Sequence, residues 1–146
     1  TVPSSERMTI RMQRSREGLR VSLMDDVRRS MFRPGTAELN PYARTLLQDL
    51  ARRLAKTGLR VAIEGHTDGV GGSGTANWSL SAARALAARD AVIGGGLAAD
   101  RVAEVVALAD TQPVYPDAPD RPENRRITLV LLAEGSPLPD IRSLAP

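Results

Sequence analysis

Between Asn40 and Leu54 the chain carries a helix signal that limits its architecture more than any other feature. Asn40-Pro41 is a start signal: Asn favours the N-cap, and Pro suits the first helical position, where a missing N–H costs nothing. Ala43, Leu46, Leu47, Leu50 and Leu54 then recur at helical spacing, which gives the helix one apolar face. Asp49 and Arg53 are placed to pair one turn apart on the outer face, and Gly58 is placed as the C-cap. The apolar face must be buried. The next segments supply the partner: a β-type run over 60–65, with Val61 and Ile63 on one side, then a glycine-rich loop over 65–76. A second helix is expected to start near Asn77 or Ser79, either of which suits a cap, and to run to Ile93, where Gly94-Gly95-Gly96 stops it.

The flanks complete a sheet. Residues 1–7 are a polar lead-in. Met8, Ile10 and Met12 alternate, Ser15 to Gly18 makes a turn, and Leu19, Val21 and Leu23 alternate again, the pattern of a hairpin with one buried face. Arg33-Pro34-Gly35 is a loop. Residues 102–108 and 127–132 read as further strands, separated by a proline-rich loop over 109–122. The expectation is an α/β fold, an α+β sandwich in which a mixed sheet is covered by two main helices packed on one face. The expected division is a linker with a candidate strand over 1–18, one domain over 19–133 and a loose tail over 134–146.

Composition removes several function classes. With no cysteine there is no disulfide, thiol catalysis or zinc–thiolate site. The net charge of +3 is carried almost wholly by arginine, Lys56 being the only lysine, which permits an anionic partner. The aromatics are only Phe32, Tyr42, Trp78 and Tyr115, too few for a platform that stacks single-stranded nucleic acid, so no nucleic-acid partner is expected. No run is apolar for long enough to cross a bilayer and no charged-then-apolar leader is visible, as expected of a fragment or a processed protein.

The densest polar cluster is Gly65-His66-Thr67-Asp68, just past the carboxyl end of a predicted strand, where ligands of open α/β sheets gather. Arg84, in the first turns of the next helix, leans back toward the helix start and so toward Asp68. An Asp and an Arg facing one crevice suit a zwitterion, the first taking an ammonium and the second forking onto a carboxylate, with free amides at the helix start as further donors. On spacing alone a plain Asp68–Arg84 salt bridge is the stronger reading. His66, the only histidine, has no second ligand at metal spacing and no nucleophile, so it is expected to shape the loop by hydrogen bonding; no metal or cofactor is expected. Gly69 and Gly74 have phosphate-loop spacing, but the lysine of that motif is missing. Trp78 is expected as a hydrophobic staple over the helix start, with stacking on a sugar ring as the alternative. Arg125 and Arg126 should point to opposite faces, one of them toward the crevice.

These residues resemble a known family. Gly65-His66-Thr67-Asp68, then Asn77-Trp78-Ser79-Leu80-Ser81-Ala82-Ala83-Arg84-Ala85, then Asn124-Arg125-Arg126-Ile127 occur in the order of OmpA-like peptidoglycan-associating domains. The stretch from Met31 through Phe32-Arg33-Pro34-Gly35-Thr36 to Leu39, Pro41-Tyr42-Ala43-Arg44, Trp78 after Asn77 and Gly95-Gly96-Leu97 resemble the flagellar stator branch of that family, the MotB type. The resemblance implies a non-catalytic domain that binds the diaminopimelate residue of the peptidoglycan stem peptide. Asp68 and Arg84 would hold its amino and carboxylate groups, Asn77 and Arg125 would add contacts, and Thr67 would supply loop geometry or a backbone donor. It further implies a periplasmic location, a homodimer, and an inner-membrane helix outside these residues that joins a MotA-type subunit. Another wall anchor of the OmpA or Pal kind, and a hydrolase built on His66 and Asp68, are the alternatives.

Overall fold

The computed structural model describes residues 9–72 and 74–133. Met8 of the expected hairpin and the expected tail lie outside them. Strands β1 (Thr9–Arg14) and β2 (Gly18–Met24) form the hairpin, closed by reciprocal hydrogen bonds between the backbones of Ser15 and Gly18. Helix α1 (Pro41–Ala55), strand β3 (Arg60–His66), helix α2 (Thr75–Gly94), strand β4 (Val102–Ala107) and strand β5 (Arg126–Leu132) follow. The sheet is mixed, in the order β1-β2-β5-β3-β4, antiparallel except where β3 meets β4.

Alternation decides which face of the sheet the helices cover. Val21 and Leu23, Val61 and Ile63, and Ile127 and Leu129 share one face and are buried with Ala43, Leu47, Ala51 and Leu54 of α1 and Ala85, Ala88 and Val92 of α2. Each fully buried Leu or Ile contributes roughly 1.5–3 kcal/mol. The other face carries Arg20, Ser22, Glu64, His66, Arg126 and Thr128, and it is laced by Arg20–Glu64 at 2.5 Å and Ser22–Thr128 at 2.8 Å.

Local signals placed the start of α1 but misplaced its end and the start of α2. Asn40 occupies the N-cap of α1, yet its amide donates to the Ser30 carbonyl at 2.7 Å rather than capping. The helix stops at Ala55 with Lys56 as C-cap, and Gly58 lies outside the cap and is not left-handed. The guanidinium of Arg101 takes over, donating to the carbonyls of Leu54 at 3.1 Å and Thr57 at 2.7 Å, a cation where the helix dipole favours one. Asp49 pairs with Arg52, not Arg53. Helix α2 starts at Thr75 after Gly74, two residues before Asn77, without any side-chain cap.

Gly65 lets α2 lie close to the sheet. A Cβ there would stand 2.1 Å from the Ser81 carbonyl oxygen and 3.3 Å from the Ala85 methyl. Since backbone cannot yield as a side chain does, Gly65→Ala is expected to cost about 3 kcal/mol, the upper range for overpacking, read as a lowered urea midpoint.

Candidate functional site

Because β5 runs antiparallel between β2 and β3, the carboxyl ends of β2 and β3 meet the amino end of β5 at one end of the sheet. Asp25 follows β2, Thr67 and Asp68 follow β3, and Arg125 precedes β5; the Asp25 N–H donates to the Arg125 carbonyl at 3.0 Å, carrying the ladder one step further. Helix α2 passes beside these ends and presents Asn77, Leu80 and Arg84, whose spacing of three and four places them on one face. Phe32, Pro34 and Gly35 of the segment before α1 close the side. Together they line a cleft of about 360 Å³, a size suited to a small ligand.

Its charges are held in a definite pattern. Arg125 bridges two carboxylates, from Nε to Asp25 at 2.9 Å and from Nη1 to Asp68 at 2.7 Å. Asp25 is buried and also accepts the Met31 N–H at 2.8 Å. Burial pushes the Asp25 carboxyl up, and the hydrogen bonds from Arg125 and Met31 partly pull it back. Asp68 lines the cleft, accepts the Val70 N–H at 2.9 Å and keeps acceptor capacity on both oxygens. Arg84 is only 6% exposed, its Nε donating to the Thr36 carbonyl at 2.8 Å and its guanidinium stacking 4.9 Å over Phe32. Among the described residues no carboxylate lies within ion-pair distance of it. Burial lowers its pKa, opposed by Asp25 and Asp68. Two carboxylates and two guanidiniums sum to zero, so a zwitterion fits without leaving a net charge buried.

The loops are pinned from behind. Asn124, fully buried, accepts the Tyr115 N–H at 2.9 Å and donates to the carbonyls of Ala118 and Pro119 at 3.0 and 3.1 Å, which fixes the proline-rich loop. That loop in turn accepts the Gly69 N–H on the Pro119 carbonyl at 2.7 Å. Ala109 adopts φ +48°, a conformation that costs an L-residue about 1–2 kcal/mol. It is held on both sides, its carbonyl taking the Thr67 N–H at 2.8 Å and its N–H donating to Ser81 Oγ at 3.1 Å.

With this geometry in place, kinship becomes informative. The sequence profile of the OmpA family matches residues 31–126. The chain belongs to the OmpA family. Motility protein B of Escherichia coli K12 is 41% identical to it over 120 residues, which are 80% of this chain and 39% of that protein. The chain thus spans about two fifths of that relative's length. The periplasmic domain of Helicobacter pylori MotB, residues 90–256, has the same fold, with a TM-score of 0.74 and 17% identity over 97% of this chain and 88% of that one. The cell wall anchor of the T6SS from Pseudomonas aeruginosa superposes with a TM-score of 0.69 at 25% identity, over 86% of this chain and 88% of that one.

In this OmpA-family chain the structure brings Thr67, Asp68, Asn77, Arg84 and Arg125 to one cleft. The simple salt bridge weighed for Asp68 forms with Arg125, not with Arg84. Asn77 spends its amide on the carbonyls of Val70 and Gly72, at 3.0 and 2.6 Å, and so shapes the glycine-rich loop. Thr67 is buried, its hydroxyl donating to the Asp68 carbonyl at 2.9 Å. Of the first three residues of α2 only Asn77 lines the cleft, and its backbone N–H donates to the Gly74 carbonyl at 3.1 Å. Trp78 is not a staple: the residue before the cap is the polar Ser73, and the indole stands 39% exposed. Arg126 points to the opposite face from Arg125, where it donates to the Gln112 carbonyl at 2.7 Å and burial pulls its pKa down to about 10. His66 and Asp68 are engaged separately, His66 Nε2 lying 3.1 Å from Glu64 Oε1 and Asp68 accepting from Val70 and Arg125. Sequence reasoning missed Asp25, which belongs to no local motif, and gave no site role to Phe32, Thr36 or Ser81, which stand within the motifs of the resemblance.

Proposed function

We propose that this domain binds peptidoglycan without altering it covalently, and so anchors a flagellar motor stator to the cell wall in the periplasm. The observation that carries the reading is Arg84, a buried guanidinium that lines the cleft with no carboxylate partner, beside an Asp68 with acceptors to spare. The diaminopimelate of a stem peptide offers the complement at the end of its side chain: a carboxylate for Arg84 and an ammonium for Asp68. Arg125 orients Asp68, and Asn77 and Thr67 hold the loop. Likeness to Motility protein B supports the stator role, and likeness to a T6SS cell wall anchor supports wall binding. In this reading the domain works as a homodimer, and a membrane helix outside residues 1–146 carries it on the inner membrane beside a MotA-type subunit.

Titration with two stem peptides tests the proposal, one carrying diaminopimelate and the other lysine in its place. Lysine keeps the ammonium and lacks the carboxylate. The diaminopimelate peptide is expected to bind at least about tenfold more tightly, the worth of one charge-assisted hydrogen bond. Equal affinities would overturn the assignment of Arg84.

A further inference from the structure

The imidazole of His66 takes no part in the proposed contacts with the stem peptide, yet it is 98% buried, with 2% exposed. Its Nε2 lies 3.1 Å from Glu64 Oε1. Burial raises the Glu64 pKa, but the hydrogen bonds from His66 and Arg20 outweigh it and hold the carboxyl below its ordinary value. An ionised carboxylate accepts, so Nε2 must carry the proton and Nδ1 is left as a bare acceptor. Nδ1 is fully buried and has no hydrogen-bond partner among the described residues. His66 lines a small cavity of about 10 Å³, room for one water molecule, together with Asp25, Met31, Phe32, Arg84, Arg125 and Arg126. Asp25, Phe32, Arg84 and Arg125 also line the ligand cleft, so the two spaces share a wall.

Three arginines line that cavity with His66, and two are already committed. Arg125 is spent on Asp25 and Asp68, and Arg126 on the carbonyls of Asn124 and Gln112. Among the described residues Arg84 donates only from Nε, so its terminal N–H groups have no protein acceptor there. We propose that one water molecule in this cavity donates to His66 Nδ1 and accepts from Arg84, making His66 a positioning residue for the group that receives the ligand carboxylate. This rests on Arg84 being that receiving group. Glu64 and Arg20 lie on the Nε2 side of the ring, Asp25, Arg84 and Arg125 line the cavity with it, and Arg126 lines the cavity while also interacting with Glu64 and Arg20. A proton on Nδ1 would turn the acceptor into a donor and add a positive charge beside a cavity lined by three arginines. Burial, with Arg126 and Arg20 beside it, lowers the His66 pKa below 6.5, against the pull of Glu64. The neutral ring is therefore the working form, and acidification below pH 6.5 should weaken binding as the ring protonates.

The test uses the 146-residue chain, labelled with nitrogen-15. Long-range imidazole correlations at pH 7 are expected to show Nε2 protonated and Nδ1 bare, and a pH titration gives the point at which the ring protonates. Affinity for a diaminopimelate stem peptide, measured over the same range, is expected to fall about tenfold across that point. His66→Gln keeps a donor for Glu64 and removes the Nδ1 acceptor; it is expected to bind about tenfold more weakly at pH 7.5 and to lose the step. A protonated Nδ1 at pH 7, or a His66→Gln protein with wild-type affinity and pH profile, would overturn the inference. The tautomer is read without ligand, so it decides even where His66→Gln does not fold. Absence of stem-peptide binding by wild type at every pH would instead overturn the proposed function.

Discussion

Arg84→Gln is expected to abolish co-sedimentation of the protein with purified peptidoglycan. Arg84 holds its place through a hydrogen bond to the Thr36 carbonyl and its stacking on Phe32, and it lines the cleft. Glutamine has neither the charge nor the fork. A ligand carboxylate entering the variant would be desolvated with no counter-charge. Truncating one partner of a buried charged pair costs about 2–5 kcal/mol, roughly thirtyfold or more in affinity. Arg84→Lys should fall between, because a point charge remains while the planar fork is lost. Asp68→Asn should weaken binding as well, by removing the charge that receives the ammonium. Circular dichroism separates binding from folding, since Thr36 loses its donor in either Arg84 variant. A folded Arg84→Gln protein that still sediments with the wall would place the site elsewhere.

Asp25→Ala should be the most destabilising of the changes at the cleft, although Asp25 is not assigned to the ligand. Its carboxylate is 4% exposed and satisfies the Met31 N–H and Arg125 Nε together. Removing it orphans a buried amide and strips Arg125 of one of its two carboxylates. Breaking a buried pair in this way costs about 3–5 kcal/mol, and the low end applies because Asp68 remains with Arg125. Urea denaturation should show the loss as a lower midpoint. Asp25→Asn keeps an acceptor for Met31 and should lose less. The pH dependence has a definite sign. Burial holds the folded pKa of Asp25 above its ordinary 3.8, so ionising it costs stability as pH climbs from 3.8 through the folded value. The Asn variant removes that loss. Binding should also weaken in Asp25→Ala, because Arg125 becomes free to turn fully onto Asp68 and occupy the lone pairs meant for the ammonium.

Much of this domain was legible before any coordinates. The period-two alternation of Val21 and Leu23 and the helical spacing of Ala43 to Leu54 are local consequences of strand and helix geometry, so they identify elements and their buried faces directly. The motif over 65–68 and Arg84 were legible for a related reason: each lies at a predictable place on its own element, and the lean of helical side chains carries Arg84 toward the loop.

Other features had no local signal. Helix α2 begins after a glycine that caps with no side chain, and α1 ends on the guanidinium of Arg101, whose partner Leu54 lies 47 residues away. The partner of Asp68 could not be chosen from spacing: Arg84 is nearer along the chain, but Arg125 is brought to Asp68 by the antiparallel register of β5 against β3, across 57 residues. The same register against β2 brings Asp25 to Arg125 across 100 residues.

The sequence by itself determined the elements, the face each one buries and the strand end at which chemistry gathers, because backbone periodicity and steric preference act over a few residues. Tertiary structure alone decided which charges pair and which stay free. That outcome depends on strand order and register, which bring distant side chains within the few ångströms over which a salt bridge forms.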